Sequence, residues 1–514
     1  MLRTLALICA ATALVGVAPA NAASQHAVKI GAAGELRWGA DSQGGAPYVF
    51  QDPMDPNHLI GFEVDLADAL ARRLGVRARP VQGQWDKLLE LLDRGDFDIA
   101  LNGIEIADEK RRVVRLSRAY YVSPERLSIR RGDPRAPRTL EGLSGRRVGT
   151  LPGSLAERIL RRAGADVRTY DGGQNEIFED LKLERTDAVL LDDAITRYYG
   201  EIDRAIEVVP ASFGEVRYAM ASVRDEEDFG RELDAALEAL QADGTLRRIY
   251  EHWGLWNAET AALFGASPRP TTPVADAYEA WRVAVGAIPP FWERVRHRYP
   301  AMMPLFARGA LLTIVISISS MAFAVLLGLL LALARTFGPL PLRLASTIYI
   351  EFVRGTPLLV QMIMLYFGLP ELGLKLDPFV AGCLALGLNY AAAEAENYRA
   401  GLSSVQVAQH EAAFSLGLSR LQTIRHVVAP QALRVAIPPM TNDFIALLKD
   451  SSLVALVTLT ELNKTYMNLA NATRDHLGLG LVVALWYLVI GLPFARLSRF
   501  VEIRLAGRTR ALRR

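Results

Sequence analysis

The chain has 514 residues and a mass of 56.4 kDa, enough for about two to four domains. Its 58 basic and 56 acidic residues leave a net charge of +2, which excludes a global polyanion-binding surface, and no nucleic-acid partner is expected. An apolar fraction of 51% with mean hydropathy +0.16 excludes disorder, and two cysteines, Cys9 and Cys383, exclude a disulfide framework. Only 7 of the 58 basic residues are lysine, so a lysine at a binding position is informative.

Residues 1–3 carry one positive charge, residues 4–17 are apolar and uncharged, and Ala18-Pro19-Ala20 and Ala20-Asn21-Ala22 supply small residues at a cleavage spacing. This is the layout of a secretory signal peptide over residues 1–22, with an uncleaved anchor as the alternative; either would export the next segment of the chain. Residues 23–257 alternate short apolar runs with amphipathic helices, the pattern of an α/β fold. Strands are expected at 36–39, 97–101, 146–150 and 187–191, and helices at 62–74, 85–92, 155–163 and 232–253. Two α/β sets in one chain predict two lobes with a ligand cleft between them.

The same half carries an ordered series of motifs: Gly39-Ala40-Asp41, Pro47-Tyr48-Val49-Phe50, Gly61-Phe62-Glu63-Val64-Asp65, Asn102-Gly103-Ile104-Glu105, Val148-Gly149-Thr150 with Ser154, and Asp187 to Asp192. It resembles the polar amino-acid periplasmic binding proteins. The resemblance implies an amino acid held between the lobes, its amino group on Asp192 and its carboxylate on Lys110, or on Arg111 beside it. Asp41, Tyr48, Phe50, Asn102, Gly103 and Ser154 complete the expected contacts. Lysine lacks the bidentate fork of arginine, and Glu105 stands where the family has a hydroxyl. If Glu105 faces the cleft, it joins Asp192 in an acidic site that favours a cationic or polar ligand.

Residues 258–304 read as a linker, extended where prolines cluster at 264–273 and able to form a short helix at 275–285, followed by an aromatic and basic interfacial segment. Residues 305–501 then hold apolar stretches of spanning length at about 309–334, 344–369, 379–398 and 480–497. The stretch 437–459 is ambiguous because it contains Asp443, Lys449 and Asp450. An exported first half and a basic tail at 502–514, retained inside by the positive-inside rule, require an odd number of spans. Five all-α spans are therefore expected, with Asp443 and Asp450 sharing one helix face at membrane depth.

Residues 397–433 then fall in the cytoplasm. They contain Glu411-Ala412-Ala413 with Gly417 four residues on, and Glu351 to Gln361 and Leu447 to Leu453 are two further distinctive stretches. Together they resemble the permeases of ATP-binding-cassette importers for polar amino acids, with 397–433 as the EAA coupling loop. The chain has no Gly-Lys dipeptide and so no Walker A loop. The resemblance implies a separate ATPase subunit that uses ATP, a homodimeric permease in the bacterial inner membrane, and no cofactor, metal or catalytic residue on this chain. A ligand-gated channel of glutamate-receptor type and a membrane-tethered dehydratase of the same binding fold are the alternatives. In the channel the membrane part interrupts the binding domain; here both lobes finish first. A dehydratase leaves the coupling loop unexplained.

Overall fold

A computed structural model describes residues 30, 33–42, 45–53, 55–170, 174–271, 275–286 and 289–511, with side chains through residue 500 and that of Ile503. The signal-peptide reading, Cys9 and the arginine side chains beyond Ile503 lie outside that set.

The first half is two five-stranded sheets. In the first, β1 (Glu35–Ala40) lies parallel to both β4 (Arg77–Gln82) and β5 (Ile99–Ala100), and β12 (Ala221–Ser222) joins β5 to β6 (Arg115–Leu116). The helix Phe62–Arg73 makes the crossover, burying Leu66, Ala67, Leu70 and Ala71 on one face and ending before Gly75, which takes φ +75°. A small antiparallel pair, β2 (Phe50–Gln51) and β3 (Leu59–Ile60), precedes it. The second sheet runs β11 (Ile206–Tyr218), β7 (Tyr121–Arg130), β10 (Ala188–Asp192), β8 (Arg147–Thr150), β9 (Asp166–Thr169).

Two segments cross between the lobes and bond to each other. Ser117 N–H donates to Met220 O at 2.9 Å, Tyr120 N–H to Tyr218 O at 3.0 Å, and Ile106 N–H to Arg217 O at 2.8 Å. These paired extended segments form the hinge between the lobes. The expected helix 232–253 is two helices, Glu227–Ala242 and Thr245–His252. Gly244 between them adopts φ +75°, and the Asp243 carboxylate accepts from Thr245 N–H at 2.9 Å, a local turn that competes with continuation. The short helix that the sequence allows at 275–285 forms and packs on the second lobe. In the helix Asp276–Gly286, Trp281 is buried with its ring centroid 4.7 Å from that of Tyr198.

In the second half, Phe291–Phe337 and His476–Phe500 are long and apolar enough to cross a membrane. Leu340–Gly355 and Leu358–Leu372 add a third only if taken as one span, and they meet at 107°. The expected span 344–369 is thus broken. Pro357 has no N–H to donate and holds Thr356 in extended backbone, which stops the first helix. Pro378–Ser403 and Ala429–Asp450 occupy the third and fourth expected positions, but both carry charged residues and fall short on composition. The fourth ends early: Ser451–Val457 is a tighter helix, closed by Thr458 at φ +69°.

The first long helix packs along Pro378–Ser403 through small residues. A Cβ on Gly328 would lie 2.6 Å from Glu394 Cβ and 3.0 Å from Ala391 O, and one on Gly387 would lie 2.5 Å from Phe323 Cδ1. Close backbone approach is how helices associate where no hydrophobic effect drives them.

Candidate functional site

A cavity of about 520 Å³ lies between the lobes. Lobe one contributes Asp41, Tyr48, Trp85, Asn102 and Gly103; lobe two contributes Ser154, Gln174, Asp192 and Ile195; Tyr218 comes from the hinge. The membrane domain adds Ile363, Phe367, Leu456, Lys464 and Met467 to the wall.

Asp192 ends β10 at the carboxyl edge of the sheet, where such sheets bind ligands. Its Oδ1 accepts from Ile195 N–H at 2.9 Å, and the Tyr48 and Tyr218 hydroxyls, hydrogen-bonded to each other at 3.0 Å, lie close enough to act on its charge. Burial pushes its carboxyl up to about 6, against the lowering effect of those donors. Across the cleft, Asp41 accepts from Gln82 Nε2 at 2.8 Å and Trp85 N–H at 3.3 Å, while Trp85 Nε1 donates to Asn102 O at 2.8 Å. Asn102 and Gly103 both have positive φ, +102° and +65°. Glu63 holds this strained turn, accepting from Gly103 N–H at 2.8 Å and from the Tyr120 hydroxyl. Burial raises the Glu63 carboxyl to about 7. Sequence reasoning placed Glu63 inside a motif and gave it no role. Ser154 lines the cleft and caps the helix Leu155–Arg162, accepting from Glu157 N–H at 3.1 Å.

Four expected contacts stand differently. Phe50 is fully buried outside the cavity wall, edge-on to Trp253 with centroids 5.9 Å apart, because strand alternation turns it inward. Glu105 lines the cavity but is engaged across the lobes, accepting from Leu155 N–H at 2.9 Å and Arg158 Nη2 at 3.0 Å. Its charge is balanced within the protein by Arg158, and its bonds tie the two lobes together. Lys110 is half-buried beside the cavity, with Nζ 5.9 Å from the Trp85 ring centre; burial lowers its pKa despite nearby Glu105. Arg111 is exposed and outside the wall.

The lobes are seated on the membrane domain. Arg94 is buried there, stacked 4.0 Å over the Tyr366 ring, donating to the carbonyls of Tyr366 and, at 2.8 Å, Leu376. Lys375 Nζ donates to Arg94 O at 2.5 Å. An arginine anchored this way is a typical interface hot spot. Arg94→Ala, which touches no cavity residue, is expected to leave ligand affinity within about twofold and to slow transport roughly tenfold, checked by binding and uptake on one preparation.

Within the membrane domain, Asp443 accepts from Asn397 at 2.7 Å and Asp450 from Tyr390 at 2.8 Å. Each pair is seven residues apart on its helix, so both aspartates face Pro378–Ser403. Lys449 points away and is exposed, while Glu394, which sequence reasoning missed, is fully buried in the same helix pair. On the segment expected to couple, Glu411, Ala412 and Gly417 are exposed, whereas Ala413 is buried, since one face of Val407–Ser415 must pack on the bundle. Leu416 and Leu421 beside them are 82% and 75% exposed. Such exposure on a short loop fits a surface covered by a partner.

Comparison with known proteins matches residues 36–255 to the bacterial extracellular solute-binding proteins, family 3, and residues 324–507 to the binding-protein-dependent transport system inner membrane component. The L-cystine transport system permease protein TcyB of Bacillus subtilis is 34% identical over 220 residues, 43% of this chain and 92% of its own. The glutamine transport system permease protein GlnP of Escherichia coli is 36% identical over 209 residues, 40% of this chain and 95% of its own. Toward the other half, the L-cystine-binding protein TcyJ of Escherichia coli is 32% identical over 210 residues, 40% of this chain and 78% of its own. The chain therefore belongs to two families at once, the family 3 solute-binding proteins and the inner-membrane components of binding-protein-dependent transport systems, fused as receptor and permease in a single polypeptide.

Proposed function

We propose that this chain is the receptor and permease of an ATP-binding-cassette importer for amino acids with polar or cationic side chains. The observation that carries the reading is Asp192: a buried carboxylate at a strand's end, facing a cavity between two lobes that the permease also helps to wall. The relatives named for cystine and glutamine transport support an amino-acid ligand. The receptor half faces outward, five spans carry the path, and two copies of the chain form it. A separate ATPase docks on 397–433 and supplies the energy, which leaves the transport role to this chain. The dimer is tested by the mass of the complex purified with its ATPase: two copies of the chain are expected, and one copy beside a different permease contradicts it. The ligand class is tested by calorimetry of the full chain in nanodiscs with arginine, glutamine and glutamate. Glutamate binding tightest would contradict it.

The charge of Asp192 also sets a pH dependence. Its carboxyl is held at about 6, and an ammonium group binds only the ionised form. Affinity is expected to be flat above that value and to fall about tenfold per unit below it. Titrating affinity between pH 7.5 and 4.5 checks this; a flat profile would show that another group takes the ammonium.

A further inference from the structure

The helix Leu462–Thr473, outside every expected span, lies across the mouth of the receptor cleft and touches both lobes. Toward lobe one, Asn468 Nδ2 donates to Ser42 Oγ at 3.0 Å, and Lys464 Nζ lies 3.6 Å from Asp41 Oδ1. Toward lobe two, Asn471 O accepts from Asn175 Nδ2 at 3.0 Å; just past the helix, Arg474 Nε donates to Asn175 Oδ1 at 2.9 Å. At the same place the lobes touch each other, with Ala46 N–H donating to the Tyr199 hydroxyl at 3.0 Å.

Lys464 is the feature a docking role alone does not require. It is 2% exposed, yet it lines the ligand cavity together with Asp41 and Asp192. It stands in the first turn of its helix, where the macrodipole disfavours a cation. Glu461 caps that turn, accepting from the backbone N–H groups of Asn463 and Lys464 at 2.8 Å each, and so fixes where the side chain starts. A lysine buried under these conditions needs carboxylates nearby, and the receptor cleft provides one in Asp41.

We propose that Lys464 is a specificity residue of the binding cleft supplied by the permease: its ammonium shares Asp41 with the ligand's side-chain end, so docking weakens the hold on a cationic ligand beside the membrane path. This rests on the amino-acid reading of the cavity. In isolation the lobes would present an acidic wall; seated on the permease, that wall carries a fixed counter-charge.

Charge discriminates this from simple docking. Removing a positive charge acts on ligands according to their own charge, whereas loss of docking shifts all ligands alike. The test measures binding of arginine, glutamine and glutamate to the full chain in nanodiscs, for wild type, Lys464→Gln, Lys464→Arg and Asp41→Asn. Lys464→Gln is expected to tighten arginine about tenfold, leave glutamine within about twofold and weaken glutamate, with Lys464→Arg restoring the wild-type order. Asp41→Asn should act with opposite sign, weakening arginine most, and it tests the same charge if Lys464→Gln does not fold. An equal shift of all three ligands, or an unaltered arginine-to-glutamine ratio in both charge-removing variants, overturns the proposal while leaving the amino-acid reading intact. Wild type that binds none of the three overturns that reading, and this proposal with it.

Discussion

Asp192→Asn is expected to weaken ligand binding at least about 30-fold while the protein remains folded. The size comes from leaving a buried ammonium without its carboxylate, a loss of roughly 2–5 kcal/mol. The persistence of the fold comes from the sign of the pKa shift. A carboxyl raised to about 6 on folding binds its proton more tightly in the native state than in the unfolded chain. Its contribution to stability is therefore fully present below the unfolded pKa and is lost as pH rises through about 6. At pH 7 the ionised group is a net cost, so the neutral amide should leave the melting temperature unchanged or higher. Asparagine keeps an oxygen to accept from Ile195 N–H and so can keep the cap. Calorimetry and a melting curve on one preparation check both halves. Lost binding with a large fall in melting temperature would mean that Asp192 serves the fold.

Glu411→Lys and Gly417→Val are each expected to cut transport more than about tenfold without altering ligand affinity. Glu411 and Gly417 are exposed on the proposed coupling loop and line no part of the receptor cavity. Reversing a charge at a docking surface costs several kcal/mol through like-charge contact. Gly417 acts through its backbone: at φ +80° it ends the helix Val407–Ser415, its N–H donating to Phe414 O at 2.9 Å. No atom among the described residues lies within 4 Å of a Cβ placed there, so a valine would fail through conformation and not through crowding in the chain itself. A β-branched side chain in that region is strained by about 1–2 kcal/mol. It would also present bulk to whatever docks. Ligand-stimulated ATP turnover with the partner ATPase reads both effects. Turnover like wild type in both variants would move the docking surface elsewhere.

The two-lobed α/β architecture and the helical second half were legible because their signals are periodic. Leu36, Trp38 and Ala40 alternate inward on β1, and Leu66, Ala67, Leu70 and Ala71 repeat at helical spacing. Asp192, Asn102 and Gly103 were placed in the cleft by the resemblance of their motifs to the periplasmic binding proteins, and all three line the cavity. The features that were not legible depend on contacts between distant segments. Glu105 reads as a free acidic group in sequence, and Arg158, 53 residues away, reaches it in the fold. Phe50 was placed in the cleft as part of a motif and Arg111 by its position beside Lys110, and neither ground says which way a side chain turns. Lys464 lies more than 400 residues from Asp41, in a segment with no spanning-length apolar run. The broken second span is the reverse case: Thr356-Pro357 is a visible breaker inside an apolar stretch, and hydropathy outweighed it.

The central claim is that one polypeptide both captures the ligand and conducts it. Uptake of a radiolabelled amino acid into proteoliposomes holding only this chain and its ATPase tests it most directly. ATP-dependent accumulation with no added binding protein, abolished by Asp192→Asn in the same chain, is the expected result. Uptake that appears only when a separate binding protein is supplied, or that survives Asp192→Asn, would contradict it.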